Sequence, residues 1–109
     1  MSTPKPIQWY NLLPHPEHLA KMATEDVDAA ARTAECKADT ICFGIAAIGN
    51  LLANTADAGE LSDSTARDLG WLLESLGQLT ANLTDVQRAT KSEMRSRKEK
   101  ALQADTSEG

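Results

Sequence analysis

Few side chains in this chain could do chemistry, and their spacing serves none well. His15 and His18 flank Pro16 and Glu17 in the segment HPEH. Two histidines three apart can share a metal from one helical face, but Pro16 disturbs that placement and no further ligands cluster nearby. Solvated histidines are expected, with no metal and no cofactor. Cys36 and Cys42 lie six apart on a predicted helix. That spacing sets them about 120° apart round the axis, so they cannot bridge one another. Neither has a histidine at short spacing to act as base, so small, buried, reduced thiols are expected, Cys36 being open to an intermolecular disulfide on oxidation. The chain has no glycine-rich phosphate loop, no paired-carboxylate pocket and no nucleophile triad spacing, so no catalytic residue is assigned and an enzyme is not expected.

Charge is the other chemical resource. The 109 residues carry a net charge of −5. Residues 1–87 hold 5 basic and 12 acidic side chains, whereas residues 88–100 hold 6 basic and 2 acidic ones. An acidic body argues against nonspecific binding of nucleic acid. The basic block of Arg88, Lys91, Arg95, Arg97, Lys98 and Lys100 has no interleaved aromatic on which bases could stack. Favourable charge at a helix C-terminus is the reading it supports.

The elements that carry these residues are helical. Alanine and leucine dominate, aromatics make up 4%, and an all-α fold is expected. Residues 1–23 form an arm with Pro4, Pro6, Pro14 and Pro16, holding Ile7, Trp9, Tyr10, Leu12 and Leu13, too apolar for a disordered tail. The arm should dock on a helix of its own chain or of a partner, with a short turn of helix after Pro16. From Thr24 the apolar positions Val27, Ala31, Ala34, Ala38, Ile41, Ile45, Ile48 and Leu52 alternate steps of 4 and 3, an unbroken heptad seam. Gly59 ends this helix (24–58) and Ser62 caps the next (62–102). There Leu69, Leu72, Leu76, Leu79, Leu83 and Val86 repeat the seam. So short a connection forces the pair antiparallel, giving a long helical hairpin with an N-terminal arm. The apolar pattern stops after Val86, leaving residues 88–102 little to pack on and 103–109 as a disordered tail.

The stretch Ile41 to Ala53 is apolar almost all the way round. A surface helix should keep one face wet. Off the seam lie Phe43, Ala47 and Leu51 on the first helix, and Ala66, Gly70, Leu73 and Gly77 on the second. Trp71 occupies a separate flank. Together with Trp9 and Tyr10 these are the candidate partner or dimer interface. A two-helix hairpin buries too little surface alone, so pairing of two copies into a four-helix bundle is expected. Asn50 is read as the point where that surface meets water. At 13 residues the apolar run is too short to span a bilayer, and no signal peptide is evident, so a cytoplasmic protein with no membrane partner is expected.

The segment FGIAAIGNLLANTADAGELSDSTARDLGWLLESLGQL, Phe43 to Leu79, resembles the QslA-type quorum-sensing anti-activators, small helical proteins of pseudomonads. It covers about a third of the chain. The resemblance implies a non-enzymatic inhibitor that binds a LuxR-type transcription regulator such as LasR and blocks its dimerisation, with no direct contact to nucleic acid. The competing readings are a phage-type, anti-CRISPR-like inhibitor acting by occlusion, and a purely structural bundle.

Overall fold

The computed structural model describes residues 8–108, and of Tyr10 and residues 106–108 the backbone alone. The expectations for residues 1–7 and for the Tyr10 side chain lie outside the described residues. Four helices and no strand occur among them: α1 (Trp9–Leu12), α2 (Pro16–Leu19), α3 (Thr24–Asp57) and α4 (Asp63–Glu108). The long antiparallel hairpin is α3 against α4, and α1 and α2 both lie on α4.

The turn follows from its residues. Gly59 takes φ +71°, the left-handed conformation in which only glycine is unstrained. It lets the Gly59 N–H reach the Ala56 carbonyl at 3.0 Å and the Glu60 N–H reach Thr55 at 3.1 Å. These two bonds satisfy carbonyls that the end of α3 leaves orphaned. Ser62 then accepts the Thr65 N–H at 3.2 Å on its hydroxyl, capping α4 as expected. α3 begins at Thr24, as expected, with Ala23 as the residue before it.

Packing is strongest at the open end of the hairpin, far from the turn. Ala34, Ala38, Leu83 and Val86 form the buried cluster, with Leu13, Ile41 and Leu79 against it. Further along, Leu19, Val27 and Thr90 are fully buried. Burying Leu19 and Val27 stabilises the fold by about 1.5–3 kcal/mol each. The second half of the seam is less covered: Ile45, Ile48 and Leu52 are only half-buried, although larger than the alanines.

Three expectations for α4 are corrected. Its helix continues to Glu108, through most of the segment read as a tail. The part from Val86 to Arg97 is packed, because α2 and the start of α3 close over it and bury Thr90, whereas residues 98–105 are exposed as expected. Near the turn the contact face also rotates by one residue. Leu69, Leu73, Leu76 and Thr80 are half-buried there, whereas Leu72 is 45% exposed. A 3.6-residue helix drifts about 20° per heptad against a 3.5-residue repeat, which is enough to exchange Leu72 for Leu73.

The whole is one layer of helices, 73 × 44 × 14 Å.

Candidate protein-interaction surface

At about 100° per residue, each off-seam side chain has a definite side of this layer. Phe43 lies opposite the α3 seam and is 77% exposed. It marks the outer edge of the layer, beside exposed Ala47. Trp71 is 66% exposed and lies on the far edge, the side of α4 that bears Gln78 and Asp85. Leu51 and Leu72 flank the seam on one broad face, and Leu51 is 66% exposed. Gly49, Gly70 and Gly77 lie on the opposite face. Leu73 is half-buried in the seam. Residues grouped from sequence as one surface are therefore spread over two edges and two faces.

Among the described residues, every exposed large apolar side chain except Leu12 and Leu102 belongs to the half of the hairpin nearest the turn. Between Ile41 and Ala56 there is no charged residue at all. Asn50 is exposed and accepts a 2.9 Å bond from the Asn54 amide, so it meets water rather than a core. A Cβ built on Gly44, Gly49, Gly70 or Gly77 meets nothing within 4 Å. No contact inside the chain accounts for glycine at these four helical positions.

The arm docks on its own chain, away from Phe43. The Trp9 indole Nε1 donates to Ser75 Oγ at 3.2 Å. Leu13 to Pro16 line a crevice of about 290 Å³ with Asn82, Asp85, Val86 and Ala89. The arm thus runs along α4 with Leu13 against the buried cluster, reaches Ser75, and leaves Trp71, one turn beyond, uncovered.

The basic block resolves into one structural arginine and several solvent-facing cations. The Arg97 guanidinium donates to Glu93 Oε1 at 2.8 Å, Thr24 Oγ1 at 2.9 Å, the Leu19 carbonyl at 2.9 Å and the Met22 carbonyl at 2.7 Å. It caps the carbonyls that α2 leaves at its end, and ties the arm and the start of α3 to α4. Sequence offered one signal for this role: Arg97 falls on the seam. Its partners, backbone carbonyls 75 and 78 residues away, carried none. Lys91, Arg95, Lys98 and Lys100 are exposed. No basic residue stands in the last turn of α4, so the helix-terminus reading of the block is withdrawn.

Cys36 and Cys42 are both exposed free thiols, not the buried side chains expected. Their positions off the seam explain this, since no second layer covers them. The His15 and His18 rings sit with centroids 5.7 Å apart, and no group of three potential metal ligands occurs among the described residues.

An 18-residue window of α3 has a mean hydropathy of 1.3, long and apolar enough by length and composition to cross a membrane, and 6% of it is buried. Counting the apolar run alone missed this, because the small polar and alanine residues around it extend the window.

Comparison with protein-family models, curated proteins and solved structures finds no match to this chain.

Proposed function

We propose that this protein is a non-enzymatic inhibitor that binds a transcription regulator of the LuxR type and blocks its dimerisation, as a QslA-type anti-activator does. The observation that carries the reading is Phe43, a large aromatic 77% exposed on a helix with no charge for sixteen residues. Buried aromatic anchors dominate the energetics of protein interfaces. A stoichiometric inhibitor needs such an anchor on a rigid helix and needs no catalytic group. Trp71 offers a second anchor on the opposite edge, and the open glycines give a partner helix room for close backbone approach. On this reading two hairpins pair into a four-helix bundle, and the protein acts in the cytoplasm, where the regulator works.

The test is capture of a purified LuxR-type regulator by the wild-type chain and by Phe43→Glu and Trp71→Glu. We expect the wild type to lower the regulator's dimer fraction and Phe43→Glu to lose at least tenfold in affinity with its helicity intact. Undiminished capture by both variants refutes the assignment of this surface, and no capture by the wild type refutes the partner class.

A further inference from the structure

We infer that a second copy of this chain seats on the face carrying Leu51 and Leu72, leaving the Phe43 edge free for another partner. The inference rests on the reading of the turn-proximal half as an interaction surface, and specifies how that surface is divided.

Area gives the first argument. A folded chain of 11.7 kDa exposes about 5,900 Å². This one exposes 8384 Å². The eight residues outside the described span, counted at the unfolded-chain value, account for no more than about 1,200 Å² of the difference. On the order of 1,300 Å² remains, shared between the turn-proximal half and the exposed last turns of α4 (98–105), against the roughly 800 Å² per partner that a stable complex buries. This single layer encloses a core at its open end but leaves the seam near the turn half-covered, where a domain ordinarily adds a second layer.

Chemistry selects the occupant. A charged partner finds nothing to pair with between Ile41 and Ala56, and the one charge between Leu69 and Asn82 is Glu74, on the side of α4 away from the seam. A second copy brings the same apolar surface, with its nearest charge, Asp68, one turn before Leu72 towards the hairpin turn. Two-fold pairing makes the contact self-complementary, so Leu51 and Leu72 of each copy meet an apolar surface of the same composition.

Sidedness selects the face. In an antiparallel pair, Leu51 on α3 and Leu72 on α4 fall on the same broad face, to either side of the seam. Leu72 is 45% exposed, so the seam there is open towards this face. The opposite face presents Gly49, Ala53, Gly70 and Gly77 and has no large apolar side chain to bury. Phe43 points along the plane of the layer, where a copy stacked on the face does not cover it.

The experiment is light scattering on the purified full-length chain. The wild type should have twice the 11.7 kDa chain mass. Leu51→Glu and Leu72→Glu should fall to the monomer mass with helicity retained by circular dichroism. Phe43→Glu and Ala53→Glu, on the edge and on the opposite face, should remain dimeric. As Leu72 also borders the seam, Leu51→Ala provides a milder variant, expected to raise the dimer dissociation constant at least tenfold. A monomeric wild type overturns the inference, as does a dimer that survives Leu51→Glu or dissociates in Ala53→Glu. Co-sedimentation of a monomeric wild type with phosphatidylcholine vesicles would overturn it in favour of a lipid surface. A dimer that captures no regulator leaves this inference standing and removes the proposed function; a monomer that captures one does the reverse.

Discussion

Arg97 holds more of this fold together than any other polar side chain among the described residues. Its four hydrogen bonds reach α4 itself, the α2 end and the start of α3. Removing it strands the carbonyls of Leu19 and Met22 beside a buried leucine, and an unsatisfied buried group costs about 1–3 kcal/mol. We expect Arg97→Ala to lower stability by about 2–4 kcal/mol in urea denaturation. Arg97→Lys should recover little of that, since an ammonium cannot span carbonyls and hydroxyl together. Loss of arm docking should also free Trp9 from Ser75 and red-shift its emission. A cationic run read from sequence offers a choice between ligand binding and helix-end charge. That one of its members caps a distant turn is decided by tertiary proximity, which heptad spacing hints at but cannot name.

The elements themselves were legible because their signals are local. Steps of 3 and 4, Gly59 and Ser62 are sufficient to define two helices and the turn between them. Gly59→Ala should cost about 1 kcal/mol, because alanine is strained at φ +71°. The helical glycines behave oppositely. With open space at each Cβ, Gly70→Ala and Gly77→Ala should each stabilise the isolated chain by up to about 1 kcal/mol. If a regulator helix approaches that face closely, the same variants should weaken its binding, a change of opposite sign measurable by titration calorimetry. What was not legible was side: Leu73 and Leu72 exchange roles near the turn, and Gly70 parts company with Phe43. A seam read as an ideal 3.5 repeat accumulates angular error over the length of α4, and only packing fixes the phase.

The molecule as a whole is finished at one end only. At the open end of the hairpin Leu19, Val27 and Thr90 are sealed and Arg97 ties the helices together. Near the turn the isoleucines are half-covered, and no charge stands between Ile41 and Ala56. The arm was expected to dock, and it does, but along α4 rather than over the greasy stretch. Nothing in Trp9, Leu12 and Leu13 dictated which helix they would choose. An isolated hairpin ordinarily frays from its free ends, with the turn as its tether. Here the order is reversed. Within the paired part of the hairpin, amide hydrogen exchange on the dilute chain should be slowest around Val27, Leu83 and Thr90 and fastest from Phe43 to Leu76. Concentrating the protein should slow the second region and leave the first unchanged. The hairpin then opens like a clasp hinged at its base, and the segment that resists exchange least is the one that gains most from company.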